Sequence, residues 1–158
     1  MNNIILKLIL LIQITFFSIL AYANDSSPAK PIELDNSFSS ITPNTQIRYI
    51  EDSEHIFHKE NIFTTSEEWL AIPNPSANFG FSDSVFWFKL SLNNTGTELQ
   101  ELYVHIAYAL LDKIQLYQVQ NNILIKELEA GDSFAFGQRP VDFPTFLFPI
   151  DIKPQTSS

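Results

Sequence analysis

The sequence predicts an all-β fold, an antiparallel β-sandwich or jelly roll, on three observations. Beyond residue 84 the chain consists of short runs in which apolar and polar residues alternate. Asn, Gly or Pro separates these runs, as in the turns of antiparallel sheets. After the first 23 residues no long segment has the 3.6-residue period of an amphipathic helix. A chain of 158 residues can bury one core, so a single domain is expected.

The N-terminus has the pattern of a secretory leader. Lys7 is the only charged side chain of the opening stretch, residues 8–20 form a nearly unbroken apolar run, and a small-x-small tripeptide ends at Ala23. We predict a signal peptide over residues 1–23, cleaved before Asn24, and export to the periplasm. A retained anchor is the alternative, although the apolar run is short for a membrane span of about 20 residues.

The stretch after the leader is predicted to be a linker that leads into the domain. Residues 24–43 are rich in Ser, Pro, Asn and Asp, so the domain is expected to span residues 44–158. Residues 46–50 predict a first short strand. Thr65 and Glu68 have the spacing of a capping box, which predicts a single helical turn or short helix that two following prolines end.

The rest of the chain is predicted to form strands. Five runs have the strand pattern: residues 85–92, 99–108, 114–119, 123–128 and 143–150. The Asn-Asn-Thr-Gly sequence between the first two runs predicts a hairpin, and Asn121-Asn122 predicts another between the next two. The last run contains Pro144 and Pro149, which predict either a strand at a sheet edge or short pairing.

Alternation also predicts which side chains face the core. In the first run Phe86 and Phe88 share one face, and in the second run Leu102, Val104 and Ile106 do. We predict that these faces pack inward. The opposite face of the second run is expected to point outward, and that of the first run is expected to be solvated only at its far end.

Charge and composition exclude several kinds of partner. The chain has 18 acidic residues against 9 Lys and Arg, a formal charge of −9. Nucleic-acid binding depends on Lys and Arg contacts to phosphates, so it is not expected. An anionic membrane surface would repel the domain for the same reason. No cysteine is present, which excludes disulfides, thiolate catalysis and Cys-ligated zinc.

The residues that enzymes use do not form a recognisable pattern. The chain lacks a Gly-x-Ser-x-Gly motif and a glycine loop for phosphates, and it has only 4 glycines. His55 and His58 have ligand-like spacing and lie beside four carboxylates, those of Glu51, Asp52, Glu54 and Glu60. We favour a solvated loop over a metal site, because this spacing often recurs by chance. We therefore predict no catalytic residue, no metal and no cofactor. A hydrolase with an unrecognised site is the enzymatic alternative.

Two aromatic side chains are predicted to bind a ligand. Trp87 and Tyr117 occupy strand positions opposite the core-facing ones, and each ring carries a polar group that favours water or a ligand. Rings on a sheet face can hold sugars while polar neighbours contact the hydroxyls. The alternative is a purely structural role in the core, which we expect for the phenylalanines.

Asp112, Asp132 and Arg139 complete the predicted ligand-binding set. Arg139 precedes Pro140 in a predicted loop and could pair with a ligand carboxylate, or equally with one of the two aspartates. Asp112 could instead simply end a loop, and Gly131-Asp132 is also typical of a turn.

Several ordered motifs resemble those of a known family. They are Asn78-Phe79-Gly80-Phe81-Ser82-Asp83-Ser84-Val85-Phe86-Trp87-Phe88-Lys89-Leu90, Tyr108-Ala109-Leu110-Leu111-Asp112, Leu116-Tyr117, Gly131-Asp132, Arg139-Pro140 and Phe148-Pro149. Over residues 47–150 the chain resembles the second type of periplasmic sensor domain of bacterial seven-transmembrane receptors with diverse intracellular signalling modules. The resemblance implies a jelly roll similar to carbohydrate-binding modules. It also implies a small-molecule ligand, a sugar foremost, a seven-helix membrane unit, and a histidine kinase or diguanylate cyclase output.

The chain departs from the family pattern in two places. Ala109 stands where the family motif has proline, which is expected to loosen that loop. The family domain continues for a few more strands, whereas this sequence stops at Ser158. We therefore expect a sandwich that is incomplete at its C-terminus, from a fragment, a truncated product or a solitary remnant with an exposed sheet edge.

Together, the residues and the resemblance predict a non-enzymatic periplasmic sensor domain of a membrane receptor, with a small carbohydrate-like ligand. The alternative is a secreted carbohydrate-binding or adhesion module that does not signal.

Overall fold

The structure is a computed structural model that describes residues 29–43, 45–73 and 78–154. The predicted signal peptide lies outside the described residues, and the division into leader, linker and domain stays a prediction. The described strands are β1 (Ile32–Leu34), β2 (Arg48–Asp52), β3 (Leu70–Ala71), β4 (Val85–Lys89), β5 (Leu92–Asn94), β6 (Gln100–Ile106), β7 (Ile114–Gln120), β8 (Ile123–Ala130) and β9 (Phe146–Ile152). Two short 3-10 helices span Ile62–Thr64 and Phe136–Gln138. The predicted all-β class is confirmed.

The strands form small sheets, most of them antiparallel. One sheet has three strands in the order β3–β2–β4, and two more are the pairs β6–β9 and β7–β8. The remaining pair, β1–β5, is parallel. Among the described residues, no helix is long and apolar enough to cross a membrane.

The main core lies between the β6–β9 and β7–β8 sheets. Phe146, Phe148 and Ala130 are its fully buried members. Half-buried apolar side chains from both sheets pack against them: Val104, Ile106, Ile114, Leu116 and Leu128. Along β6 the half-buried and exposed residues alternate from Gln100 to Ile106, which confirms the predicted inward face. Two sheets with apolar faces turned toward each other have the layered packing of a sandwich.

The β7–β8 hairpin is confirmed at the predicted turn. Asn121 has a φ of 50° and Asn122 a φ of 61°. Two successive positive φ values are what a type I′ two-residue turn requires, and asparagine tolerates them better than most residues. The pairing register shifts between Gln118 and Val119, which marks an irregularity of the bulge type.

The hairpin predicted between the first two strand-like runs is wrong. The chain breaks the first run into β4 and β5, and β4 pairs with β2 while β6 pairs with β9. Asn94, which looked like a turn residue, is 1% exposed at the end of β5. Its Nδ2 donates to the carbonyls of Glu98 at 2.8 Å and Ile152 at 2.9 Å. The amide therefore joins β5 to β9 instead of turning the chain back.

The face of β4 predicted to point inward is also wrong. Phe88 is 49% exposed, and Phe86 stacks on the ring of Phe79 with centroids 4.4 Å apart, on the outer side of the sheet. The opposite face carries Trp87, which lies across from the buried Ile50 of β2. Because every residue of β4's first half is apolar, alternation alone could not decide between the two faces.

A strand forms within the stretch predicted to be a linker. Ile32 is 6% exposed and Leu34 is fully buried in β1, which aligns with Leu92 and Asn94 of β5. The apolar-polar-apolar triplet at 32–34 is too short to stand out from its Ser- and Pro-rich surroundings.

The helical turn predicted at Thr65 and Glu68 does not form. The 3-10 helix Ile62–Thr64 ends just before it, and Thr65 is the C-cap residue of that helix, in an extended conformation. The Thr65 hydroxyl accepts a hydrogen bond from the backbone N–H of Glu67 at 3.1 Å. A bond to a residue only two positions away makes a local turn, which competes with the capping box.

The predicted edge position of the last strand is confirmed among the described residues. β9 pairs with β6 alone, and Pro149 lies opposite Tyr103. On its other side, Lys126 Nζ donates to the Pro149 carbonyl at 3.1 Å and Gln118 Nε2 donates to the Asp151 carbonyl at 2.8 Å. Side chains of the β7–β8 hairpin thus satisfy the backbone of this edge, where proline has no N–H to offer.

Candidate functional site

A cleft opens between the turn that follows β2, strand β4 and the outer face of the β7–β8 hairpin. Its volume is about 340 Å³. The lining side chains are aromatic, apolar and charged: Phe57, His58, Lys59, Glu60, Val85, Trp87, Gln115, Tyr117 and Glu127. Three separate parts of the chain therefore contribute to one concave surface.

Two of the predicted ligand-binding residues meet at this cleft. The rings of Trp87 and Tyr117 are nearly parallel, 21° apart, with centroids separated by 6.1 Å. Tyr117 points away from the core because its neighbour on β7, Leu116, packs into it. Phe63 meets the Tyr117 ring edge-on, with centroids 6.0 Å apart and an interplanar angle of 77°, which is a favourable aromatic contact.

An ion pair lies beside the aromatic rings. Lys59 Nζ is 2.8 Å from Glu127 Oε2, and Glu127 is the cross-strand partner of Tyr117. The hydrogen bond to Glu127 and its negative charge raise the pKa of Lys59. Burial raises the pKa of the Tyr117 phenol, and the charge of Glu127 adds to this effect. At neutral pH the cleft therefore presents an ammonium group, carboxylates and a protonated phenol that can donate a hydrogen bond.

Asp52 positions the turn that forms one wall of the cleft. Its side chain is 2% exposed, and its two carboxylate oxygens accept the backbone N–H groups of Ile56 and Phe57, each at 2.9 Å. Burial opposes ionisation, but these hydrogen bonds outweigh it and the pKa of Asp52 is lowered. The nearby Trp87 indole N–H also contributes to lowering the pKa of Asp52. Among the described residues, however, the buried indole nitrogen has no partner in good hydrogen-bond geometry.

The sequence did not predict this role for Asp52, which is one of several acidic residues around His55 and His58. The signal that could have found it is local: an aspartate at the end of a strand, followed by a polar turn, commonly accepts backbone N–H bonds of that turn.

Replacing Asp52 with asparagine is expected to lower the free energy of unfolding by about 1.5–3 kcal/mol near neutral pH, because hydrogen bonds to a charged group are lost. The folded-state pKa lies below the ordinary 3.8, so this stabilisation is complete above pH 3.8 and is lost as the pH falls through the folded value. Urea unfolding of both proteins across acidic pH should show the gap closing. An unchanged gap at low pH would contradict this role.

The exposed Asp142 offers a matched control for that measurement. Asp142→Asn removes the same charge from a loop position and should change the unfolding free energy by less than about 0.5 kcal/mol.

Asp112 and Asp132 come together, but away from the cleft and through their backbones. The N–H of Asp132 donates to the Leu111 carbonyl at 2.8 Å, and the N–H of Ser133 donates to the Asp112 carbonyl at 3.2 Å. Both aspartate side chains are exposed. Neither residue is among those that line the cleft.

Among the described residues, Arg139 forms an ion pair with neither Asp112 nor Asp132. Its Nη1 donates to the carbonyls of Phe143 at 3.0 Å and Pro144 at 2.9 Å. Its guanidinium also lies 4.7 Å from the ring centroids of both Phe136 and Phe146. Arg139 therefore holds the loop before β9 against the core, and no ion pair among the described residues includes it. The ligand-binding roles of Asp112, Asp132 and Arg139 stay predictions.

The two closely spaced histidines have separate partners. His55 Nε2 is 2.8 Å from the Asp83 carbonyl oxygen, and His58 Nδ1 is 3.3 Å from Glu60 Oε2. Among the residues that the structure describes, no three His, Cys, Asp or Glu side chains come together as metal ligands do.

The fold and the cleft define the class as a β-sandwich domain with a candidate binding cleft on its outer surface. The family model 7TMR-DISM extracellular 2 matches residues 44–158, and the chain belongs to this family. The resemblance seen in the sequence is thereby confirmed. No curated protein and no solved structure matches the chain.

Family membership indicates what kind of protein this is. The family consists of the extracellular domains of seven-transmembrane receptors, so the chain is a sensor-type domain of a membrane receptor, located outside the cytoplasm. The same family membership implies association with a seven-transmembrane receptor and intracellular modules. Membership of a sensor family also suggests a non-catalytic domain.

Proposed function

We propose that this chain is a periplasmic ligand-sensing domain that binds a small carbohydrate-like molecule in the cleft between β4 and the β7–β8 hairpin. One observation carries the proposal. Trp87 and Tyr117 belong to different sheets, and their nearly parallel rings meet at the cleft 6.1 Å apart. A volume of about 340 Å³ suits a small molecule, since ligand pockets begin at about 300 Å³.

The chemistry of the lining fits a polyhydroxylated ligand. Aromatic rings offer flat apolar surfaces to the C–H faces of a sugar ring. Gln115, Glu60 and the Tyr117 hydroxyl supply hydrogen-bond donors and acceptors beside those surfaces. Lys59 and Glu127 already satisfy each other at 2.8 Å, so a neutral ligand can bind without leaving either charge unpaired.

Signalling would follow from the position of the cleft between two parts of the domain. A ligand that contacts Trp87 on β4 and Tyr117 on β7 stabilises the arrangement in which those strands are close. It transmits a signal if the receptor has a second arrangement with lower ligand affinity. Export and removal of residues 1–23 belong to the same proposal, as do the absence of catalysis and coupling to a seven-helix unit with a kinase or cyclase output.

Trp87→Ala is expected to weaken ligand binding by at least about tenfold, which corresponds to 1.4 kcal/mol, because it removes one of the two stacking surfaces. A thermal-shift screen against monosaccharides and short oligosaccharides identifies the ligand, and titration calorimetry then compares the variants. Tyr117→Phe keeps the ring and should retain most of the affinity, whereas Tyr117→Ala should not.

Tyr103→Ala is the matched control, because Tyr103 is 61% exposed on β6 and does not line the cleft. It should bind like the unmodified protein. A folded domain that binds none of the sugars would overturn the carbohydrate proposal, and equal loss of binding in Tyr103→Ala would argue against the cleft as the site.

A further inference from the structure

The outer edge of β6 has an open set of backbone hydrogen-bonding groups. Pro149, which lies opposite Tyr103, has no N–H, and its carbonyl accepts from Lys126 on the far side of β9. The Tyr103–Pro149 pair is therefore a non-hydrogen-bonded pair of the antiparallel ladder. By strand parity, the N–H and C=O groups of Glu101, Tyr103 and His105 point away from β9.

Among the described residues, no strand covers this edge. β6 pairs with β9 alone, and its seven residues contain no proline, no glycine and no register shift. Edge strands are normally protected by proline, a bulge, charged side chains (lysine above all) or a covering element. The edge of β9 has Pro149 and Lys126, whereas β6 has a single charged residue, Glu101, and neither proline, lysine nor a bulge.

The exposed face of β6 is complementary to itself. Antiparallel pairing of two β6 strands about a two-fold axis at Tyr103 places Tyr103 opposite its own copy. It also places Glu101 of each strand opposite His105 of the other, since these residues lie two positions to either side. On the inner face the same register aligns Leu102 with Val104. Aromatic cross-strand pairs are favourable and a glutamate carboxylate can accept a hydrogen bond from an imidazole N–H, so a register shift would lose both contacts.

The surroundings of Glu101 within its own sheet also favour a histidine on its open side. Its cross-strand neighbour on β9 is Asp151, a like charge. A second β6 strand would bring a histidine to its open side. His105 uses Nε2 to contact the Thr145 hydroxyl at 2.8 Å, so its Nδ1 remains for the glutamate. The same contact would bury apolar surface of Tyr103, which is 61% exposed to water in the single chain.

We propose that the domain self-associates through β6, with two copies forming a continuous antiparallel sheet centred on Tyr103. The pairing is independent of the ligand cleft and of the proposed sensory function. It adds six backbone hydrogen bonds in this register, two for each of three hydrogen-bonded residue pairs.

Cysteine cross-linking tests the register, since the chain has no cysteine of its own. Hydrogen-bonded pairs have Cα atoms about 5.5 Å apart, within the range of a disulfide. Tyr103→Cys, made in the full 158-residue chain and exported to an oxidising periplasm, should give a dimer on a non-reducing gel. Glu101→Cys on the same exposed face should not, because its copy would lie about 13 Å away.

Glu101→Cys combined with His105→Cys should cross-link again, because the pairing brings these two positions together. Cross-linking of Tyr103→Cys and of the double variant, with none for Glu101→Cys alone, supports the proposal. No dimer with Tyr103→Cys, or equal cross-linking at Glu101→Cys, would overturn it and leave the edge to another partner.

A charge exchange tests the pairing without a covalent bond. His105→Glu places two carboxylates opposite each other at both ends of the interface and should weaken the dimer by roughly tenfold in sedimentation equilibrium. The double variant Glu101→His with His105→Glu again places a histidine opposite each glutamate and should recover the affinity. A monomeric unmodified protein at high concentration, or a dimer indifferent to His105→Glu, would overturn the proposal.

Discussion

Replacing Phe148 with alanine is expected to lower the free energy of unfolding by about 3–5 kcal/mol, the range for a buried phenylalanine. The side chain has no exposed surface and packs with Phe146 and Ala130 where the two sheets meet. Phe148 lies opposite Val104 of β6. Truncation to alanine would leave a cavity between the two sheets, where few neighbouring side chains can fill it. Since small domains are stable by about 5–15 kcal/mol, much of the folding equilibrium depends on this ring.

Urea denaturation followed by tryptophan fluorescence measures the effect, because the chain has 2 tryptophans. Phe81→Ala makes the same chemical change at a fully exposed position and should shift the unfolding free energy by less than about 0.5 kcal/mol. A loss of less than about 1 kcal/mol at Phe148 would mean that the two sheets do not share this core.

The local parts of the fold were predictable from the sequence. Leu102, Val104 and Ile106 alternate with polar neighbours, so parity placed them on the core face of β6. The hairpin β7–β8 was equally predictable, since Asn121 and Asn122 favour the positive φ values of its turn. In both cases the information lies within a few consecutive residues.

The pairing of distant strands was not predictable in the same way. β4 pairs with β2 and β6 pairs with β9, although a turn-like sequence separates β4 from β6. Asn94 shows why: its buried amide binds two carbonyls, one of them on Ile152 more than fifty residues away. No local pattern distinguishes such an asparagine from one that begins a turn.

The residues of the candidate site were likewise predictable in part, whereas their contacts across sheets were not. Trp87 and Tyr117 were identified because each carries a large ring with a polar group on a strand. Their approach to 6.1 Å depends on how two sheets pack, and so does the contact of Lys59 with Glu127 across 68 positions of sequence. Arg139 shows the opposite case. It was predicted to bind a ligand because a loop arginine can pair with a carboxylate, and in the structure its guanidinium contacts backbone carbonyls and phenylalanine rings, so the ligand-binding role stays a prediction.

Replacing Gly131 with alanine is expected to destabilise the domain by roughly 2–5 kcal/mol, from overpacking and backbone strain together. A Cβ at Gly131 would overlap the carbonyl oxygen of Asp112 and lie 2.6 Å from its carbonyl carbon and 2.8 Å from the Lys113 Cα. These are backbone atoms, which cannot rotate away as the end of a side chain can. The φ of 155° adds strain for a residue with a side chain.

The first structural consequence should be local, because the glycine allows two loops to approach. The N–H of Asp132 donates to the Leu111 carbonyl at 2.8 Å, and the added methyl group would push these segments apart. Hydrogen exchange should therefore accelerate at the Asp132 amide more than in the β7–β8 turn. Gly137→Ala is the matched control, since no atom lies within 4 Å of a Cβ there, and it should change stability by less than about 0.5 kcal/mol. Equal effects at the two glycines would show that the Gly131-Asp132 motif reflects something other than this close approach of backbones.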